Sequence, residues 1–275
     1  MAILAEAAET ARKALGSRLD SLVLERLVVG VFFTGVKLSC GRAGICYTPV
    51  KDIPQAVCCP SSAGRILDPR RLSGLPVERL LDQLDSPEPL KAAAALAALN
   101  ALQAHLLEQQ PPADYVLVEE RDALELIRIP RQAEVVVVGA LVPALGMLKK
   151  RGGPWWVVEQ DPRTLKGDEL EHYLPFSQSG EVLARAQVLI ITGVTLLNRT
   201  LEPILEAARP GAEIAVLGPS ASLPPQPLFQ RGVRLVGGVR VRRPDDLLDC
   251  LAAAGSGYHF FDRMAPRMVM LSSCL

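Results

Sequence analysis

Residues 134–159 read EVVVVGALVPALGMLKKRGGPWWVVE, and this stretch decides the fold. Glu134–Gly139 is a continuous apolar run with none of the in/out alternation of a half-exposed strand. Val142–Arg151 follows as a helix, with Gly152-Gly153-Pro154 as its stop. Trp155–Glu159 is a second apolar run. Unalternating strands joined by a helix signal a parallel sheet buried on both faces. The same grammar continues downstream. Gln187–Thr192, Glu213–Leu217 and Val233–Val236 read as strands, and Gly180–Arg185, about Arg199–Ala208 and Asp245–Ala254 as helices. These runs predict a small Rossmann-like domain over residues 113–275.

The chain before it has a different grammar. Ile3, Ala7, Ala11, Leu15, Leu19 and Leu22 recur at helical spacing. Leu27–Leu38 reads as a strand, Gly41-Arg42-Ala43-Gly44 as a turn and Ile45–Val50 as the returning strand of a hairpin. Gln55–Ser73 is irregular. Pro76 opens a short helix to about Leu84, and Ser86-Pro87-Glu88 starts a long Ala/Leu helix to about Glu108. Gln109-Gln110-Pro111-Pro112 ends it and marks a boundary, giving an α+β domain over residues 1–112.

Composition narrows the function classes. The 275 residues carry 30 Lys+Arg and 30 Asp+Glu, so the net charge is zero and no basic surplus suits a nucleic-acid binder. With 49% hydrophobic residues the chain is too apolar for disorder. Asn100, Gln103 and His105 interrupt the longest apolar stretch, so no membrane span is expected. Glu6, Glu9, Arg12, Lys13 and Arg18 break up the first segment, unlike a secretory signal, so a cytoplasmic location with reduced thiols is expected. A homodimer is compatible with the apolar face of the first helix.

In an open α/β sheet, ligands bind beyond the carboxyl ends of the strands. That rule selects four segments. Gly139-Ala140-Leu141-Val142-Pro143 lacks the second glycine of a dinucleotide loop. Glu159 lies twenty positions after Gly139, where a ribose-binding acid sits; a solvated strand-end carboxylate is the other reading. In the third segment Thr192-Gly193 ends a strand, Asn198 is placed to cap the next helix and Thr200 enters its first turn. The fourth, Gly218-Pro219-Ser220-Ala221-Ser222, is followed by Pro224, Pro225 and Pro227, fitting a preorganised binding loop or a rigid connection.

The stretches GALVPAL, VVEQDP, QVLIITGVTLLNRTLEPIL and AVLGPSASLPPQPLFQRGV resemble a family described as putative heavy-metal chelation proteins. The resemblance covers nearly the whole chain. It implies an enolase-N-terminal-like α+β domain before the Rossmann-like one, with a ligand in the cleft between them. Carried over, that cleft takes Thr34 and Asn100 from the first domain, and Gly139, Glu159, Thr192, Gly193, Asn198, Thr200 and Ser220 from the second; the strand-end rule adds Gly218 as a ligand-binding candidate. The tail departs from the family pattern, with Arg263 and Arg267 but no lysine.

Three functions follow as expectations. The first is a protein that binds or acts on a metal, a metal chelator or a related cofactor in the cleft. The second is a nucleotide- or S-adenosylmethionine-dependent enzyme using Glu159 for the ribose. The third handles a soft metal through cysteines, with Cys58 and Cys59 as the main ligands and Cys40 and Cys46 nearby. Against the third, a free cysteine more often behaves as a small core residue. Of the histidines, only His172 is placed to reach the cleft. The run Asp161, Asp168, Glu169, Glu171 fits either a hard-cation site or a solvated loop.

Overall fold

The computed structural model describes residues 2–53 and 67–273. Along the chain the helices are α1 (Ile3–Leu15), α2 (Val77–Leu81), α3 (Pro89–Gln109), α4 (Ala123–Leu126), α5 (Val142–Arg151), α6 (Gly180–Arg185), α7 (Val194–Leu197), α8 (Leu201–Ala207), α9 (Gln226–Phe229), α10 (Pro244–Ala252) and α11 (Gly257–Phe260). The strands are β1 (Leu24–Val29), β2 (Phe33–Leu38), β3 (Ala43–Tyr47), β4 (Tyr115–Glu119), β5 (Val135–Val138), β6 (Trp155–Glu159), β7 (Tyr173–Pro175), β8 (Val188–Thr192), β9 (Glu213–Leu217), β10 (Leu235–Val239) and β11 (Arg267–Ser272).

Two sheets result. A small antiparallel one has the order β1-β2-β3, and a large one has the order β4-β11-β10-β9-β8-β5-β6-β7. From β10 to β7 every neighbouring pair is parallel; β11 and β4 add an antiparallel edge. The fold is therefore α/β: a small antiparallel sheet with helices, then a mostly parallel sheet. The parallel part begins in its middle, at β5. The chain adds β6 and β7 on one side of it, then crosses to add β8, β9 and β10 on the other. Neighbours β5 and β8 thus mark the point where strand order reverses.

Both faces of the large sheet are covered, as its unalternating strands require. Val136 and Val138 join one apolar cluster, while Val135 and Val137 join another with Leu145 and Leu148 of α5. The first cluster also holds Ile3, Leu15, Leu96 and Leu102, so one core runs from the small sheet's helices into the large sheet. Each fully buried leucine of this kind contributes about 2 kcal/mol.

Helix α3 is apolar all round, and its side chains are buried through most of its length. By length and composition it could cross a membrane, yet 78% of its apolar window is enclosed by protein. A helix buried on every side needs no polar face. It packs across β2 and β3 on one side and touches α7 and the Pro219–Ala221 turn on the other. Gly44 makes that approach possible: a Cβ there would lie 2.3 Å from the Ala97 carbonyl oxygen and 2.4 Å from the Ala101 nitrogen.

Several elements differ from expectation. Leu27–Leu38 is not one strand but β1, a turn and β2, with Gly30 N–H bonded to the Phe33 carbonyl. The turn Gly30-Val31-Phe32 is apolar and carries no turn-forming polar residue, which hid it. Strands β4, β7 and β11 were not expected. β7 has three residues, and β4 is held by pairing with β11, about 150 positions away in sequence.

Candidate functional site

A cleft of about 620 Å³ opens at the carboxyl ends of β5, β6 and β8, at the strand-order switch. One wall comes from Gly139, Glu159, Thr192, Asn198 and Thr200; the facing wall comes from Tyr47, Pro49, Lys51, Ser86 and Pro89. Five of the ten expected site residues therefore line it. Gly139 adopts φ 91°, and a Cβ there would lie 2.6 Å from Thr192 Cγ2. The first and third strand ends thus touch because one of them is glycine.

The carboxylate of Glu159 is already engaged. Its Oε2 accepts from Ala140 N–H at 2.9 Å, and its Oε1 from Gln160 N–H at 2.7 Å and Asp161 N–H at 3.2 Å. It braces the β5–α5 loop against the end of β6. Asp161 is likewise taken up, by Arg163 and by Lys51, whose Nζ lies 2.6 Å from Oδ2. The Arg163 guanidinium, then Lys51, hold this carboxyl well below the usual carboxylate range, and Asp161 in turn raises Lys51. The Lys51–Asp161 pair spans the mouth of the cleft.

A second bridge crosses the same mouth. Asn198 does not cap α8 directly. Its Oδ1 accepts from Thr200 N–H at 3.2 Å and Thr200 Oγ1 at 2.7 Å. Between them Arg199 takes φ 60°, and its guanidinium donates to the Ser86 carbonyl at 3.3 Å. Neither Lys51 nor Arg199 was expected at the site. Lys51 borders a stretch without periodicity. Arg199 carries a faint signal, standing between Asn198 and Thr200.

Thr34, Asn100 and Ser220 do not line the cleft. They sit in a buried seam where the small sheet meets the large one. Asn100 Nδ2 donates to the carbonyls of Ile45 at 2.8 Å, Ser220 at 3.2 Å and Pro219 at 3.3 Å. Ser220 Oγ accepts from Tyr47 N–H at 2.9 Å, and the hydroxyls of Thr34 and Thr48 pair at 3.0 Å. These groups are enclosed because α3 lies against both sheets. Gly193 is also buried: its N–H bonds the Leu217 carbonyl, and a Cβ would meet Ala221 at 3.1 Å. Gly218 faces a separate, mostly apolar hollow of about 190 Å³ beyond β9 and β10.

The expected metal ligands fare differently. Cys58 and Cys59 lie outside the described residues. Cys46 is fully buried, and burial pushes its thiol up to about 12. Such a thiol stays protonated and is a poor metal ligand. Burial also raises Cys40. His172 does not reach the cleft. Its ring stacks on Trp155 at 3.7 Å and its Nδ1 meets the Trp155 carbonyl, at the start of β6 rather than its end. Asp168 and Glu169 pair with Lys149 near the end of α5, again away from the cleft. Among the described residues, no three His, Cys, Asp or Glu side chains gather as a metal site.

Comparison with known proteins agrees with this architecture. Two family models, both described as "Putative heavy-metal chelation", match residues 12–103 and 122–270. An uncharacterized protein of Methanocaldococcus jannaschii is 25% identical over 187 residues, spanning 67% of this chain and 68% of that one. A protein of unknown function from Pyrococcus horikoshii superposes with a TM-score of 0.76 at 18% identity, covering 97% of this chain and 98% of its own. One from Desulfitobacterium hafniense does so with a TM-score of 0.72 at 18% identity, covering 98% and 99%. These two likenesses show the fold.

Proposed function

The chain belongs to the "Putative heavy-metal chelation" family, and from that premise we propose that it binds a small organic metal chelator, free or loaded, in the cleft at the strand-order switch. One observation carries this reading. The cleft has the volume for a small organic molecule, about 620 Å³, but its described lining includes no thiol and no imidazole. Soft metals select those donors. Of its carboxylates, Glu159 is held by backbone N–H groups, Asp161 by Arg163 and Lys51, and Asp52 stands exposed on the rim. The residues present do not fit a resident heavy-metal ion. They fit a ligand that brings its own metal donors.

The test is a thermal-shift and calorimetric titration with free Ni²⁺, with chelators and with their Ni²⁺ complexes. A ligand of the native state raises its stability by about 2.7 kcal/mol at a hundred times Kd. The expected result is a shift with chelator or chelate and none with Ni²⁺ alone. An equal shift with the bare ion, or no shift at all, would sink the reading.

Glu159 supports a second reading, an adenosyl ligand, because it ends the second strand of a sheet ordered like a nucleotide-binding one. Against it, the Ala140 N–H that would face a phosphate is occupied by Glu159 itself. S-Adenosylmethionine or ATP stabilisation, abolished in Glu159→Ala, would favour this alternative.

A further inference from the structure

We infer that Arg199 is the specificity-determining residue of the cleft and that it selects a ligand bearing an oxyanion, a carboxylate or phosphate. This deepens the chelator reading above and rests on it.

The charges around the cleft support the choice. Glu159 is held by three backbone N–H groups, and Asp161 by Lys51 and Arg163. Lys51 is committed to Asp161 in turn. Arg199 lines the same cleft without a carboxylate partner among the described residues; its hydrogen bond goes to the neutral Ser86 carbonyl at 3.3 Å. Asp52 also lies on the rim, exposed, and would meet any cationic part of a ligand. A guanidinium with one long bond to a neutral acceptor has most of its fork of donors left for a planar oxyanion.

The backbone supports it independently. Arg199 sits at φ 60°, a conformation that non-glycine residues seldom adopt. Residues held in such conformations cluster at ligand clamps. The two bonds from Asn198 Oδ1 to Thr200 fix the turn. Glycine would serve the turn better. What glycine could not supply is the side chain that crosses the mouth. Asn198 is thus a positioning residue for Arg199.

The experiment compares two rigid chelators of similar size, dianionic pyridine-2,6-dicarboxylate and neutral 1,10-phenanthroline, each free and as its Ni²⁺ complex. Inorganic pyrophosphate serves as the phosphate arm. Affinity is measured by calorimetry on the full-length protein and on Arg199→Gln, Arg199→Gly and Asn198→Ala. The wild type is expected to prefer an anionic probe to phenanthroline at least tenfold, and the preferred anion reports whether carboxylate or phosphate is the natural group. Arg199→Gln and Arg199→Gly should each weaken anionic binding at least tenfold and leave phenanthroline binding within twofold. Arg199→Gly should also melt no lower than the wild type, since it relieves the backbone. That combination is one a merely structural arginine would not give. Anionic binding unchanged within twofold in both Arg199 variants, or a preference for phenanthroline, overturns this inference and leaves the chelator reading standing. Failure of all three probes to bind the wild type overturns that reading and this inference together.

Discussion

The small sheet meets the large one in two places that are built in opposite ways. At the seam, Asn100, Thr34, Thr48 and Ser220 are buried and hydrogen-bonded, with Asn100 Oδ1 the one polar side-chain atom of these four left without a partner among the described residues. At the mouth of the cleft, Lys51–Asp161 and Arg199–Ser86 join the same halves through long side chains open to water. A polar group sealed from water must be satisfied or it destabilises the fold. One at a wet surface is screened and contributes little. The seam therefore belongs to folding, and the mouth is where the proposed ligand would enter.

The largest effect that would break this contrast is expected at Gly44. Its alanine variant would drive a methyl group into the α3 backbone, which cannot move as a side chain can. Gly44→Ala should cost about 3 kcal/mol in urea denaturation. A loss below about 1 kcal/mol would mean the seam is looser than its packing. Next comes Asn100→Ala, which takes the shared donor from the carbonyls of Ile45 and Ser220, while that of Pro219 keeps Ser222 Oγ at 2.8 Å. Its cost should be about 2–3 kcal/mol.

Cys46 sharpens the comparison through pH. Its thiol is raised to about 12 by burial, so the unfolded chain loses that proton first. The contribution is fully present below the ordinary thiol pKa and is lost as pH rises from there toward 12, at about 1.4 kcal/mol per pH unit. Tyr115, also raised to about 12 by burial, adds to the upper part of that limb. Denaturation of Cys46→Val across pH 8–11 should show a shallower alkaline slope; an unchanged slope would contradict the burial. The smallest effect belongs to the mouth. Lys51→Ala should leave the melting temperature where it was, because the pair it breaks is exposed. A drop comparable with Asn100→Ala would erase the distinction between mouth and seam.

Much of the large sheet was legible in the sequence because burial on both faces writes an unalternating apolar run, as in Val135–Val138 and Val188–Thr192. The rule of strand ends then pointed to Gly139, Glu159 and Thr192, which do line the cleft. Helix α3 was legible for the same reason of composition. What lay beyond reading was set by tertiary contact. Nothing local distinguishes Asn100 in a seam from Asn100 in a cleft until α3 is placed against both sheets. The turn at Gly30 is equally silent: a Cβ there would lie 2.5 Å from the Leu251 carbonyl oxygen, more than 200 residues away. Strand β11 waits on partners on both sides, β10 and β4.

The core that runs unbroken from α1 and α3 into the large sheet has a consequence for how a guest would enter. Jaws that swing open need a hinge with little buried across it, and here leucines and valines bridge that line. One apolar core therefore backs both walls of the cavity. On the proposed reading, a guest would lose little of its affinity to a scarce open form of its host. Admission would then turn on the threshold, where Lys51–Asp161 and Arg199–Ser86 cross it.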